Sequence, residues 1–282
     1  MKKLFALLLA GILCFTNTLS LQAATIDYDG TEVESKVSTQ TICDTEVVSL
    51  HKTKKPKYTI LYIHGGGYMN TVNATHWAYA DALAQELNAN VIVPIYQTIG
   101  LGDWKDAYRL LNILYTNIRA KTKTPIILLG DSAGGGLATG FCEYSAKQGK
   151  KQPNKLILFS PWLDISCSNK EIVNYQDRDV RLSVSQLVDY GSQWANGLDM
   201  SDYKLSPING DVSKLKNVYL FVGTEEIFYP DVQEFYQKLK DKKRKVKLTV
   251  GEGMFHDYPL YINQLDEADK AFQEVTKFIK IE

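Results

Sequence analysis

The sequence predicts an α/β fold: a mostly parallel central sheet flanked by helices, with a helical lid or cap inserted into it. From Tyr58 onward, short β-branched runs alternate with segments of helical periodicity. Such alternation implies crossover connections and a parallel sheet. The strand-like runs are almost continuously apolar, as strands covered on both faces must be. The length of 282 residues, with 45% hydrophobic side chains, suits one large α/β domain with its own core.

The elements follow in order. Lys2 and Lys3 precede an apolar run from Leu4 to Phe15, and small or polar residues lead on to Gln22-Ala23-Ala24. This is the layout of a secretory signal peptide over residues 1–24. The run is shorter than the ~20 residues that span a bilayer. A secreted or cell-surface chain of residues 25–282, with no stable membrane span, is expected. Residues 25–57 read as short strands and turns. Strands are expected at 58–63, 91–95, 126–129, 156–159, 218–222 and 246–250. Helices are expected at 75–87, 103–120, 132–147, 231–240 and 264–279. One stretch breaks the rhythm. Residues 161–217 hold Tyr175, Tyr190, Trp194 and Tyr203 and a helical pattern near 183–195, but no convincing buried strand. An insertion of this length in an α/β domain is usually functional, and a cap over the carboxyl edge of the sheet is expected.

Composition excludes several classes. With 32 basic and 32 acidic residues, there is no electrostatic case for nucleic acid or an anionic membrane. The run Lys242-Lys243-Arg244-Lys245 leads into an alternating strand and reads as a solvated sheet edge. Beyond the leader, Cys43, Cys142 and Cys167 have spacings that suit neither a metal site nor a disulfide framework. Cys142 falls in an apolar helix, and an oxidising compartment would allow a Cys43–Cys167 bridge.

The chemistry resides in three places. Gly130-Asp131-Ser132-Ala133-Gly134 follows the strand at 126–129 and opens a helix. A G-x-S-x-G sequence in that setting forces a sharp turn that exposes the serine hydroxyl. The helix N-terminus behind it favours developing negative charge. His64-Gly65-Gly66-Gly67 follows the strand at 58–63. Its backbone N–H groups, with no side chains in the way, can donate to an oxyanion. The expected donors are Gly66, Gly67 and Ala133, with His64 ordering the loop. The base follows by elimination. In chains with such a serine turn, the acid and then the histidine come after the serine. Of His51, His64, His76 and His256, only His256 does so. The acid should lie in the turn after the strand at 218–222, where Glu225, Glu226 and Asp231 are candidates. Asp231 suits a helix cap better. Asp257, beside the base, supports the histidine loop and precedes no turn that would aim it back at the ring.

Together, His64-Gly65-Gly66-Gly67-Tyr68, Gly130-Asp131-Ser132-Ala133-Gly134-Gly135, Ser206-Pro207, Gly223-Thr224-Glu225-Glu226 and the His256 loop resemble the hormone-sensitive-lipase-like esterases of the α/β-hydrolase fold. The resemblance sets the acid on Glu226 and implies hydrolysis of small or short-acyl carboxylic esters through an acyl-enzyme, with no metal or organic cofactor. A lipase, an amidase or peptidase of the same fold, and a non-catalytic binding protein on a hydrolase scaffold are the alternatives. Two departures bear on the pocket. Tyr96 is followed by Gln97-Thr98-Ile99-Gly100, where the family often has a Tyr-Arg-Leu-Ala-Pro-Glu stretch. The segment before Tyr58 is also short for the family's helical cap. Oligomeric state is not legible.

Overall fold

A computed structural model describes residues 31–281. The signal-peptide expectation at 1–24 lies outside the described residues. The chain opens with β1 (Lys36–Ile42) and β2 (Thr45–His51), an antiparallel hairpin whose register pairs Ile42 with Thr45. Cys43 and Asp44 make the two-residue turn, with φ of 50° and 56°. Positive φ at both positions is the geometry that matches the twist of a hairpin.

Then follow β3 (Tyr58–Ile63), α1 (Ala74–Leu87), β4 (Ala89–Pro94), α2 (Trp104–Lys121), β5 (Ile126–Asp131), α3 (Ser132–Lys147) and β6 (Lys155–Phe159). The next elements are α4 (Val184–Ala195), β7 (Val218–Gly223), α5 (Tyr229–Asp241), β8 (Val246–Gly251) and α6 (Asp266–Lys280). Every strand and helix expected after Tyr58 is present, with ends shifted by a residue or two. The α1 and α2 starts are fixed by capping boxes at Asn73 and Asp103, each satisfying amides the helix leaves unpaired.

The strands form one sheet of eight, in the order β1-β2-β4-β3-β5-β6-β7-β8. All pairings from β4 onward across that order are parallel. Alternate strand residues feed two cores. Leu61, Ile63 and Leu128 join α2, α3 and α5 on one face. Ile60, Tyr62 and Ile127 join α1 and α6 on the other. The edge strand β8 is only half-buried, and the basic run 242–245 lies in the turn that leads into it, a charged approach to a sheet edge. From β3 the chain steps one way to β4 and then returns to the other side as β5. This reversal leaves a crevice at the carboxyl ends of β3 and β5, where ligands bind in open α/β sheets.

Residues 161–217 contain α4 and three short 3-10 turns. Gly191 of α4 lies so close to the Ile165 carbonyl that a Cβ would collide with it. Trp194 stacks on Tyr68 with ring centres 4.4 Å apart. The insertion is thereby packed onto the glycine loop. Cys43, Cys142 and Cys167 are free, so the Cys43–Cys167 bridge does not form. Cys43 is used instead as a hairpin turn residue, on the strand pair at the far side of the sheet from β6. Cys142 is buried in α3. Among the described residues, no helix is long and apolar enough to cross a membrane.

Candidate active site

Four loops meet at the carboxyl edge of the sheet, each supplied by a different strand end. The β5–α3 junction carries Ser132, whose φ is 49°. A left-handed conformation is costly for a residue with a Cβ. The surroundings impose it: a Cβ on Gly130 would meet the Gly134 carbonyl at 2.6 Å. The turn can close only with glycines around the serine.

The β8–α6 loop brings His256 over this serine. Ser132 Oγ lies within hydrogen-bond reach of His256 Nε2 at 2.9 Å, and His256 Nδ1 donates to Glu226 Oε2 at 2.7 Å. Glu226 is fully buried. Its other oxygen accepts from the Gly223 N–H at 2.7 Å and the Ser160 hydroxyl at 2.6 Å. Burial alone would disfavour a charged ring at His256, but Asp257 and then Glu226 hold it well above the ordinary histidine range. Glu225 turns away and pairs with Arg178 at 3.5 Å.

The glycine loop follows β3. Gly66 and Gly67 have φ of 114° and 63° and line the same cavity as Ser132 and His256. Ala133, in the first turn of α3, has an N–H with no helical carbonyl to bind. His64 is buried and donates from Nδ1 to the Gly65 carbonyl at 2.7 Å. Burial drives its pKa down to about 4, so it is a neutral prop. Tyr96, the residue just before the Gln97-Thr98-Ile99-Gly100 stretch, stacks on His64 at 4.3 Å and donates to its carbonyl.

Two readings are corrected. Asp231 caps no helix: α5 begins at Tyr229 after Phe228. Asp231 is instead buried in the first turn, accepting from Asn169 at 2.8 Å, and burial pushes its carboxyl up to about 7. Asp257 does aim back at the His256 ring. Its own φ of 58° makes the turn that looked absent, and its Oδ2 lies 3.1 Å from His256 Nε2.

Three residues have a supporting role that the sequence does not signal. Ser160, after β6, bridges Glu226 to the Asp257 N–H. Asp131 accepts from the Gly65 N–H at 2.8 Å and from His76 Nε2 at 3.1 Å. His76 Nδ1 accepts the Asn73 N–H, which leaves the ring proton on Nε2 for Asp131. These bonds lock the glycine loop to the serine turn.

The cavity over Ser132 measures about 320 Å³. Its outer wall is built by the insertion, through Arg181, Leu182, Gln186, Leu187 and Tyr190. The Tyr190 ring packs against Gly67, where a Cβ would come within 3.3 Å of it. Among the described residues, no group of three or more His, Cys, Asp or Glu could hold a metal ion.

Comparison with known proteins gives a consistent neighbourhood. A family model described as the alpha/beta hydrolase fold matches residues 60–260. An acetyl-hydrolase of Streptomyces hygroscopicus is 25% identical over 224 residues, 79% of this chain and 75% of its own length. A candidate esterase from Staphylococcus aureus superposes with a TM-score of 0.85 at 28% identity, covering 89% of this chain and 85% of that one. A hormone-sensitive lipase from a metagenome library superposes at 0.82 with 24% identity, covering 88% and 84%, a likeness of fold.

Proposed function

The chain belongs to the α/β-hydrolase fold family, and from that premise we propose that it is a secreted serine carboxylesterase acting on small or short-acyl esters. One observation carries the reading: an unbroken hydrogen-bond chain from Ser132 through His256 to Glu226, at 2.9 and 2.7 Å, on the wall of a cavity flanked by Gly66 and Gly67.

In this mechanism Ser132 Oγ attacks the ester carbonyl while His256 Nε2 takes its proton. Glu226 stabilises the imidazolium and fixes the ring tautomer. The N–H groups of Gly66, Gly67 and Ala133 receive the oxyanion, each worth about 3 kcal/mol in comparable sites. The carbonyl–oxygen bond breaks, and His256 returns its proton to the leaving alcohol. Water, deprotonated by His256, then attacks the acyl-enzyme and releases acid and free serine.

Two features support a short acyl group. The cavity is at the small end for ligand sites, and Tyr190 closes the space beside Gly67. The Streptomyces relative is named an acetyl-hydrolase. Rates on p-nitrophenyl esters should therefore fall as the acyl chain lengthens; a preference for long chains would point to a lipase. A fluorophosphonate should label Ser132, and Ser132→Ala should abolish both labelling and turnover, by ~10⁴-fold or more, with circular dichroism unchanged. Near-wild-type turnover in that variant would refute the assignment. Secretion rests on the charged and apolar order of residues 1–24. N-terminal sequencing should find a start near Ala24 or Thr25; intact Met1 on a cytosolic product would refute it.

A further inference from the structure

His256 has two partners at one nitrogen. Its Nε2 lies 2.9 Å from Ser132 Oγ and 3.1 Å from Asp257 Oδ2, while Nδ1 is taken by Glu226. A neutral imidazole with its proton on Nδ1 offers only a lone pair at Nε2. That lone pair can receive the Ser132 hydroxyl, but it gives an ionised carboxylate nothing to bind. The Asp257 contact is favourable only when a proton lies between the two, on Nε2 or on the carboxyl itself. In either place that proton occupies the lone pair Ser132 needs.

We propose that Asp257 is a brake on the general base, a positioning residue that holds a proton at His256 Nε2 and must yield it before Ser132 can be activated. This rests on the reading of His256 as the base.

The carboxylate is fixed where it stands. Its backbone is left-handed at φ 58°, and its N–H donates to Ser160 Oγ at 3.1 Å, the hydroxyl that also binds Glu226. Asp257 Oδ1 is buried with no hydrogen-bond partner, so the side chain has no better contact than the ring. The acidic neighbours act in one direction. Glu226 and Asp131 add negative charge around the His256–Asp257 pair and favour keeping its proton. His76 and Tyr62 also feel Asp257, but both face Asp131 more directly. Phe228 packs edge-on against the ring at 5.2 Å and brings no charge. Burial pushes the Asp257 carboxyl up to about 6, against the pull of His256. The leaving oxygen must also come within hydrogen-bond reach of Nε2, so Asp257 borders the alcohol portion of the ester.

The test compares wild type with Asp257→Asn and the charge-keeping Asp257→Glu. The acid limb of kcat/KM on p-nitrophenyl acetate reports the base in the free enzyme. Titration of the His256 ring by ¹H–¹⁵N NMR, assigned with His256→Gln, reads the same proton without turnover. Asp257→Asn should lower both midpoints by about 1–3 pH units and raise kcat/KM roughly tenfold per unit below the wild-type limb. Asp257→Glu should stay near wild type. An unmoved ring midpoint in folded Asp257→Asn overturns the proposal. If the asparagine variant does not fold, Asp257→Ser is read by the same criterion. A shifted ring midpoint in proteins that hydrolyse no ester would sink the esterase reading and leave the hold of Asp257 on His256 standing.

Discussion

Glu226 and Glu225 are neighbours in sequence with opposite fates. Glu226 is sealed against His256, Gly223 and Ser160, while Glu225 faces solvent and Arg178. Glu226→Gln keeps the size but offers an amide that can hold the wrong imidazole tautomer. A comparable change in serine proteases lowers turnover by ~10⁴-fold. Turnover should collapse similarly here, with Glu225→Gln and Asp231→Asn close to wild type on one short-chain ester. A dead Glu225 variant would mean the acid loop has another register. Ser132, His256 and the glycine loop were legible because each sits in a contiguous motif whose residue types follow from local backbone needs. Ser160, Asp131 and His76 were not. Each does its work through a partner 55 or more positions away; Asp131 lies inside the serine motif, but only the sheet order brings it to Gly65 and His76. Asp257 was misread for a different reason. The turn that aims it is its own left-handed φ, which a non-glycine residue does not advertise.

At the scale of elements, the alternation of strands and helices revealed the sheet and its two covers, because strand burial writes itself as an apolar run. The insertion was visible only as an interruption. Its α4 helix was legible from periodicity, but its attachment was not, since each tie joins a side chain of the insertion to a loop distant in sequence. The central tie is Asp179. Its Oδ1 accepts from the Arg181 and Leu182 N–H groups, and its Oδ2 accepts from the Ile227 N–H at 2.9 Å, one residue past Glu226. Beside it, Arg181 stacks on Phe255 at 4.3 Å and donates to the Tyr261 hydroxyl. One short stretch of the insertion thus straps both the acid loop and the base loop. Asp179→Ala leaves the buried Ile227 N–H without an acceptor, a loss of about 1–3 kcal/mol. It should lower the urea midpoint and, by loosening Glu226, lower kcat more than it raises KM. Asp179→Asn keeps an acceptor and should fall between. A normal midpoint with normal kcat in the alanine variant would show that the strap does not position the acid.

Over the whole molecule, a net charge of zero leaves pH-dependent stability to individual buried groups rather than to general repulsion. One such group outside the active site is Glu143. It lies in α3 beneath Gly210, where a Cβ would run into its carboxyl, and both its oxygens are buried without partners. Burial pushes its pKa up to about 9, with Lys238 opposing. In the unfolded chain the same group ionises near 4.5. Between these values the native state carries the proton and the unfolded state does not, so stability falls as pH rises. The contribution is fully present below about 4.5 and is lost progressively up to about 9, by at most about 1.4 kcal/mol per pH unit. Glu143→Gln keeps the shape and removes the proton. Melting temperatures of wild type and variant should lie close together near pH 5. They should diverge as pH rises towards 9, with the variant increasingly the more stable of the two. Because Glu143 touches none of the reacting groups, ester hydrolysis at pH 7 should change little. Melting curves that stay parallel across that range would mean that Glu143 is ionised in the folded protein and has found a compensating partner.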